Sequence, residues 1–143
     1  MSYKILIVED DAVIAEEIAH HLARWNLETA IVKDFSQVMT EFTNQSPSLV
    51  LLDISLPFYN GYYWCGEIRK VSKVPVIFLS SASENMNIVM AMNMGGDDFI
   101  AKPFHFDVLS AKIQAMLRRA YSFAGQTNLL EHRGVLLNLS NAS

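Results

Sequence analysis

Polar side chains stand directly after most of the apolar runs in this sequence. Three acids follow the first run, one aspartate ends the third, two serines follow the fourth, and a lysine and a proline follow the fifth. If the runs are parallel strands, their carboxyl ends meet at one edge of a sheet, where α/β folds place their functional groups. We therefore expect these side chains to lie close together. They are Glu9, Asp10, Asp11, Asp53, Ser80, Ser81, Lys102 and Pro103.

Carboxylates gathered at such an edge need a counter-charge. Two like charges about 4 Å apart repel by roughly 4 kcal/mol at an effective dielectric constant near 20. The acids come without histidine or cysteine, and a shallow site of oxygen ligands that keeps several waters suits Mg²⁺. A single aspartate after a strand is often only a helix cap. The combination with Ser80 and Lys102 is hard to explain in that way, and it predicts a functional site.

The hydrophobic pattern indicates the elements that must position these residues. Runs without alternation are typical of strands buried on both faces, and parallel neighbours need crossover connections, here helices. The sequence therefore predicts an α/β fold with a doubly wound, parallel, five-stranded sheet of (βα)5 organisation, which is flavodoxin-like. The predicted strands lie at 5–8, 30–32, 49–52, 76–79 and 99–101, and the predicted helices at 13–25, 38–42, 63–70, 84–94 and 108–119.

Two local predictions concern the first two helices. Asp34 stands three residues before Gln37, which is typical of a capping box that opens the second helix. In the first helix, apolar residues recur at steps of three and four, which predicts a single buried face. That face would comprise Val13, Ile14, Ile18, Leu22 and Trp25.

Composition bounds the class of protein. The chain has 143 residues, of which 51% are hydrophobic and 18% are charged, so it can bury one core and is too apolar to be disordered. A net charge of -4 argues against a protein that coats nucleic acid. Cys65 is the only cysteine, which excludes an internal disulfide and favours a reducing compartment. No apolar stretch is long enough to cross a bilayer or to form a signal peptide, so we expect a cytoplasmic protein that does not contact membranes.

Four segments carry a resemblance to a known family. They are ILIVEDD at 5–11, LLDISLP at 51–57 with Gly61 four residues on, FLSS at 78–81, and GGDDFIAKPF at 95–104. In these segments the sequence resembles the receiver domain of two-component response regulators, from residue 3 to about residue 120. The resemblance supports the doubly wound fold and implies a specific chemistry for its edge.

The resemblance implies a role for each acid. Asp53 would be the phosphoacceptor, taking a phosphoryl group from the phosphohistidine of a sensor histidine kinase. Glu9 and Asp10 would hold Mg²⁺ together with Asp53 and the backbone carbonyl of Ser55. Asp11 falls one step beyond the family's acidic pair, and we expect it to be an exposed residue at a helix start, favoured there by the helix dipole. Such a receiver modifies itself, so we expect a protein that is not a turnover enzyme.

The resemblance also implies how the phosphoryl group is held and sensed. Lys102 would contact phosphoryl oxygens, oriented by a cis peptide bond before Pro103. Ser80 would donate its hydroxyl to a phosphoryl oxygen once Asp53 is modified. Phe99 matches the family's switch aromatic, which moves inward when Ser80 shifts, although the family more often has tyrosine there. A plain core role for Phe99 stays open.

The end of the chain predicts a second unit. Residues 121–128 are typical of a polar linker, and residues 129–139 of a two-strand start. This tail resembles the opening strands of the winged-helix DNA-binding domain of OmpR/PhoB-type regulators. We therefore expect a receiver domain at 1–121 and, at 122–143, a linker and the first strands of a truncated DNA-binding domain. Promoter DNA would be contacted only through the missing domain.

Two functions remain open at this point. One is a phosphorylation-activated regulator of transcription, and the other is a stand-alone receiver that acts as a phosphorelay or protein-docking module without binding DNA. The segment ENMNIVMAMNMGGDDFIAKPF further resembles the subfamily that controls resistance to bacitracin and other cell-envelope-active peptides.

The fourth predicted helix, at 84–94, is apolar on two sides. At 100° per residue three methionines form one stripe, and Val89 and Met92 lie on another. The resemblance puts Val89 and Met92 inward and leaves the methionine stripe outside, where DNA-binding members of the family dimerise through helix four, strand five and helix five. We therefore expect a homodimer with a comparatively apolar interface, unless the methionines fill gaps under a neighbouring loop. The dimer face would comprise Met86, Met90, Met94, Asp97, Asp98, Arg118 and Arg119.

Overall fold

The computed structural model describes residues 3–81 and 92–122 of the chain. Within these residues lie five strands and four helices. The helix predicted at 84–94 lies outside the described residues except for its last three positions, and so does the tail beyond Ser122. The elements are β1 (Lys4–Val8), α1 (Ala12–Ala23), β2 (Glu28–Ile31), α2 (Val38–Gln45), β3 (Leu49–Asp53), α3 (Gly61–Val71), β4 (Val76–Ser80), β5 (Asp98–Ala101) and α4 (Phe106–Leu117), followed by a π-helical turn (Arg118–Ser122).

The five strands form one parallel sheet in the order β2-β1-β3-β4-β5. This order confirms the predicted α/β fold with a doubly wound sheet. The chain builds outward in one direction from β1 to β2 and in the other from β1 through β3 to β5. Sheets of this kind bind ligands outside their carboxyl ends, at the point where the direction changes, which here lies between β1 and β3.

Each face of the sheet carries its own apolar layer, because successive residues of a strand point to opposite faces. In β1, Ile5 and Ile7 belong to the layer formed with α1 and α4, while Leu6 and Val8 belong to the layer formed with α2 and α3. All four side chains are fully buried. The unbroken apolar runs of β1, β3 and β4 are therefore what a sheet covered on both faces requires.

The first helix differs from its predicted face at both ends. Ala15, Ile18 and Leu22 are buried, but Val13 and Trp25, which were expected in the same face, are exposed. Val13 lies about 200° around the helix from Ala15, and Trp25 comes after the last helical residue, so neither can reach the sheet. The helix begins at the side chain of Asp11, whose Oδ1 accepts hydrogen bonds from the Val13 and Ile14 amides at 3.0 and 3.2 Å.

The capping box predicted for the second helix is wrong. The helix begins at Val38, and the Gln37 side chain makes no capping hydrogen bond. Asp34 instead accepts hydrogen bonds from the amide and hydroxyl of Ser36, at 3.0 and 2.6 Å. Glu41 reaches back from the first turn and accepts hydrogen bonds from the amides of Lys33 and Asp34, at 3.0 and 2.9 Å. The competing local partner of Asp34 is the reason that it does not cap the helix.

The amino end of the sheet is tied together around Ser48. The Ser48 amide donates to the Lys4 carbonyl at 2.7 Å, and the Lys4 amide donates to the Ser48 hydroxyl at 3.2 Å. The last predicted helix ends two residues earlier than expected, at Leu117, and the turn after it carries Tyr121. The Tyr121 hydroxyl donates to the Ser48 carbonyl at 2.7 Å, and its ring packs on Tyr3. No helix among the described residues is long and apolar enough to cross a membrane.

Candidate functional site

The strand ends bring the predicted acids together at the carboxyl edge of the sheet. Asp53 is the last residue of β3, Glu9 and Asp10 follow β1, and Lys102 follows β5. Carboxylate oxygens of Glu9, Asp10 and Asp53 lie within 4.8 Å of one another. Glu9 and Asp53 are buried, whereas Asp10 is exposed. Asp11, which caps α1, is not part of this cluster.

Lys102 supplies the positive charge of the cluster. Its ammonium lies 2.5 Å from Glu9 Oε1 and 3.3 Å from Asp53 Oδ2. Burial alone would lower the pKa of Lys102, but its contacts with Glu9 and Asp53 outweigh that effect and raise the pKa. The lysine therefore stays charged at neutral pH, between the two buried carboxylates. The second oxygen of Glu9 accepts a hydrogen bond from the Asp11 amide at 3.0 Å.

The surroundings of Asp53 disfavour its charged form. Burial, and then the negative charge of Glu9, raise the pKa of Asp53 from 3.8 to about 7, against the opposing effect of Lys102. One of its oxygens, Oδ1, accepts a hydrogen bond from the Ser55 amide at 3.2 Å. A second buried acid thus lies beside Asp53 and disfavours its charged form.

The donor set of the cluster fits a hard divalent cation. Three carboxylates and one ammonium carry a formal charge of −2 when all are ionised, and the ligands are oxygen atoms only. The exposed position of Asp10 leaves one side of the cluster open to water, which Mg²⁺ usually retains in its coordination shell. The acidic group is therefore one that could hold such an ion.

A glycine allows the loop after Asp53 to close tightly. The Gly61 amide donates to the Ile54 carbonyl at 2.9 Å, so the chain returns to the end of β3 within seven residues. A Cβ atom on Gly61 would lie 2.4 Å from the Asp53 carbonyl oxygen, which no side chain tolerates. The glycine is needed because of this close approach.

The other residues that the resemblance singled out surround Asp53 from β4 and β5. The Lys102–Pro103 bond is cis, as expected. The Lys102 amide donates to the Ser80 carbonyl at 2.6 Å, and Ser80 is buried at the end of β4. Phe99 is partly buried and packs against the apolar layer of α2 and α3, opposite Phe78 of β4. This position suits a core residue and a switch aromatic equally.

The predicted dimer face is described only in part. Met86, Val89 and Met90 lie outside the described residues. Met94 is exposed, as expected, but the inward position predicted for Met92 is wrong, because Met92 is exposed too. At this turn the backbone packs against α3, since the Cys65 thiol donates to the Met94 carbonyl at 3.3 Å.

The two acids of that face have partners within the chain. Asp97 pairs with Arg69 at 2.9 Å, and Asp98 pairs with Lys112 at 3.1 Å. Arg118 and Arg119 are exposed on the π-helical turn.

Arg69 is a connecting residue that no sequence pattern indicated. Its guanidinium donates to the Val74 carbonyl at 2.7 Å and to the Gly95 carbonyl at 3.0 Å, and it pairs with Asp97. It thereby joins the end of α3 to the segment that leads into β5. The only signal was an arginine in the last turn of a helix, where cations are common for reasons of the helix dipole alone.

A family model matches most of the chain. Residues 5–114 match the response regulator receiver domain. Among curated proteins, the sensory transduction protein BceR of Halalkalibacterium halodurans is 46% identical over 129 residues, which cover 90% of this chain and 56% of that protein. The response regulator protein GraR of Staphylococcus aureus (strain bovine RF122 / ET3-1) is 43% identical over 141 residues, which cover 98% of this chain and 63% of that protein. The chain thus spans less than two thirds of the length of these relatives.

Solved structures show the same similarity. The N-terminal domain of the nisin resistance regulator NsrR, a lantibiotic response regulator, matches with a TM-score of 0.76 and 47% identity, covering 81% of this chain and 98% of that one. The BeF3-activated receiver domain of Klebsiella pneumoniae RstA matches with a TM-score of 0.77 and 31% identity, covering 80% of this chain and 98% of that one.

Proposed function

The chain belongs to the response regulator receiver domain family, and from that premise we propose that Asp53 accepts a phosphoryl group from the phosphohistidine of a sensor histidine kinase. The observation that carries this proposal is the setting of Asp53. It is the carboxylate at the end of the central strand β3 that is buried, contacts Lys102 and lies beside two further acids. A carboxylate held in this way is poised to act as a nucleophile rather than to stabilise the fold.

The reaction transfers one phosphoryl group between two side chains. A carboxylate oxygen of Asp53 forms a bond to phosphorus, the bond between phosphorus and the imidazole nitrogen breaks, and the imidazole leaves with its electron pair and takes up a proton. The product is an acyl phosphate on Asp53. Lys102 already contacts Oδ2 of Asp53, so its ammonium is placed to balance charge on the phosphoryl oxygens. The Ser80 hydroxyl, at the end of the neighbouring strand, would donate to another of these oxygens.

Glu9, Asp10 and Asp53, with the backbone carbonyl of Ser55, would hold Mg²⁺. The ion would supply positive charge that stabilises both the ionised acids and the phosphoryl oxygens. Its charge would offset the repulsion from Glu9 that helps to raise the pKa of Asp53. Asp10 is the exposed member of the set and the one that a cation reaches first from solvent.

We further propose that the chain is the receiver part of a transcription regulator of the OmpR/PhoB type, with a receiver at 1–121 and the start of a DNA-binding domain at 122–143. The support is that the chain spans 50 to 63% of relatives that include the transcriptional regulatory protein YvcP of Bacillus subtilis. Phosphorylation would favour a homodimer through the fourth and fifth predicted helices and β5, with Phe99 responding to Ser80. The similarity to NsrR supports a role in resistance to cell-envelope-active peptides.

Phosphorylation with acetyl phosphate and Mg²⁺, followed by intact-mass spectrometry, tests the first proposal. We expect the native chain to gain the mass of one phosphoryl group, and Asp53→Asn and EDTA-treated protein to gain none. Asp10→Asn should slow the reaction by roughly tenfold or more, since even indirect partners of a metal site change affinity by that factor.

Asp11→Asn is the matched control, because asparagine caps a helix as well as aspartate does and Asp11 lies outside the cluster. Equal rates for Asp10→Asn and Asp11→Asn would remove Asp10 from the ligand set. An adduct that persists in Asp53→Asn would refute the assignment of the phosphoacceptor.

A further inference from the structure

Three exposed aromatic side chains lie beside the Asp53 site. Phe58 and Tyr59 belong to the loop between β3 and α3, and Tyr63 belongs to the first turn of α3. Their exposed fractions are 75%, 48% and 42%. Single exposed apolar residues are normal on a protein surface, but aromatic residues that lie together there are typical of interaction sites. We refer to Phe58, Tyr59 and Tyr63 as the aromatic platform.

The aromatic platform is held in a defined arrangement. The rings of Tyr59 and Tyr63 stack with centroids 4.2 Å apart, and the buried Trp64 meets both of them edge-on. The Asn60 side chain caps α3 by accepting a hydrogen bond from the Tyr63 amide at 3.0 Å. Phe58 has φ of 69°, a left-handed conformation that is costly for a phenylalanine. A surface fixed in advance loses less conformational entropy when it binds a partner.

The loop geometry places the aromatic platform next to the phosphoacceptor. Gly61 lies against the Asp53 carbonyl, and Phe58 is three residues from Gly61, hence no more than about 11 Å away even if the chain were fully extended. A standard protein interface covers about 800 Å² on each partner, which corresponds to a disc roughly 16 Å in radius. A protein that delivers a phosphoryl group must be in contact with Asp53. An interface of ordinary size centred on that contact would extend to the aromatic platform.

The aromatic platform is also electrically distinct from the site beside it. Residues 54–66 contain no charged side chain, whereas Glu9, Asp10, Asp53 and Lys102 concentrate charge at the edge of the sheet. The core of an interface is typically poor in charge and rich in tyrosine, phenylalanine and tryptophan. The partner surface that fits here is an uncharged, apolar patch close to the donor histidine.

We propose that the aromatic platform is a docking surface for the protein that donates the phosphoryl group to Asp53. This inference rests on the proposed function and adds to it a contact that small phosphodonors do not make. Acetyl phosphate has no protein surface that could dock, so it reports on the chemistry alone. A phosphorylated kinase reports on the chemistry and on docking.

The test compares the two donors on matched variants. The protein donor is the autophosphorylated cytoplasmic fragment of the sensor histidine kinase that, within a panel, phosphorylates the native chain fastest. Phe58→Asn removes the ring and keeps a residue that tolerates the left-handed conformation, and Tyr63→Gln keeps a good helix former. Val71→Gln is the control, because Val71 is also exposed and apolar but lies at the other end of α3.

We expect Phe58→Asn and Tyr63→Gln to lower the rate of transfer from subsaturating kinase by roughly tenfold, through a higher KM, as loss of a central aromatic contact does in other interfaces. Their rates with acetyl phosphate should stay within about twofold of native. Because the surface is uncharged, the loss should be the same at low and high salt. Val71→Gln should behave as the native chain with both donors.

Kinase transfer at the native rate in both variants would overturn the proposal. So would a parallel loss with both donors, which would make the loop a positioning element of the site. A dimer of the native chain that dissociates in Phe58→Asn while kinase transfer is unchanged would assign the surface to a second copy instead. A native chain that accepts phosphoryl from neither donor would refute the proposed function itself.

Discussion

The two ends of the parallel sheet treat their polar groups in opposite ways. At the amino end, Ser48 exchanges hydrogen bonds with Lys4 and accepts one from Tyr121. At the carboxyl end, Glu9 and Asp53 are buried together and share one cation, Lys102. The polar groups at the amino ends of the strands thus stabilise the fold, whereas two like charges repel each other at the carboxyl ends. The difference indicates that the carboxyl end is arranged for a ligand and not for stability.

We expect the largest change in the free energy of unfolding from removing Lys102, the cation that Glu9 and Asp53 share. Lys102→Met leaves Glu9 and Asp53 facing each other, and loss of one member of a buried charged group costs about 3 kcal/mol. We expect the free energy of unfolding, measured with urea at pH 8 without Mg²⁺, to fall by about that amount.

Lys112→Met is the control, because Lys112 pairs with one partly exposed acid, Asp98. Its loss should cost less than about 1 kcal/mol. If the two variants lost the same free energy of unfolding, the repulsion between Glu9 and Asp53 at the carboxyl end would not be significant.

The second effect is a pH dependence of the free energy of unfolding that arises from Asp53. Its pKa is raised from 3.8 to about 7, first by burial and then by Glu9. An acid whose pKa is higher in the folded chain than in the unfolded chain stabilises the fold at low pH, and this contribution is lost as the pH rises from about 4 to about 7. Asp53→Asn removes the titration. Without Mg²⁺ we expect it to match the native chain near pH 4 and to exceed its free energy of unfolding by about 2 kcal/mol at pH 8.

A pKa shift from 3.8 to about 7 corresponds to roughly 4 kcal/mol in a site closed to solvent. We expect only about half of that because the cluster is open to water on the side of Asp10. Saturating Mg²⁺ should shrink the difference, because the ion binds the native acids. Urea unfolding of both chains across this pH range measures it. A difference that does not depend on pH would contradict the assigned cause.

The smallest effect is expected at the amino end. Tyr121→Phe removes the hydroxyl that donates to the Ser48 carbonyl, and a hydrogen bond of this kind contributes about 1 kcal/mol. The free energy of unfolding should fall by about that amount, while the rate of phosphorylation by acetyl phosphate stays unchanged. Tyr59→Phe, which alters a hydroxyl at the carboxyl end, is the comparison. If Tyr121→Phe slowed phosphorylation, the two ends would not be independent.

The strands and the carboxyl edge could be predicted because both depend on local sequence. The runs predicted at 5–8, 49–52 and 76–79 differ from β1, β3 and β4 by one residue, since a strand buried on both faces must be continuously apolar. Once a strand end is known, the residue that follows it must lie at the edge. The positions of Asp53 and Lys102 follow from this rule.

The errors arose where local patterns compete or where distant residues meet. Val13 and Trp25 fit the helical period, but the period does not say where the helix ends or which stripe faces the sheet. The Asp34 side chain accepts a hydrogen bond from the Ser36 amide instead of from the amides of the helix. The contacts of Arg69 with Gly95 and of Lys102 with Glu9 join elements far apart in sequence. A local sequence pattern cannot predict such pairs, because it contains no information about which distant residues meet.

The position of Tyr121 limits how a signal can leave the domain. β3 has five residues, so roughly 17 Å separate the Ser48 group from the acids at the other end of the strand. Asp53 is buried, so salt screens a charge there less than it screens an exposed one. At an effective dielectric constant near 20, a unit charge added at Asp53 contributes no more than about 1 kcal/mol over that distance. We therefore expect a change at Asp53 to reach Tyr121 mainly as displacement of the tightly packed strands and helices, on the timescale of their collective motion.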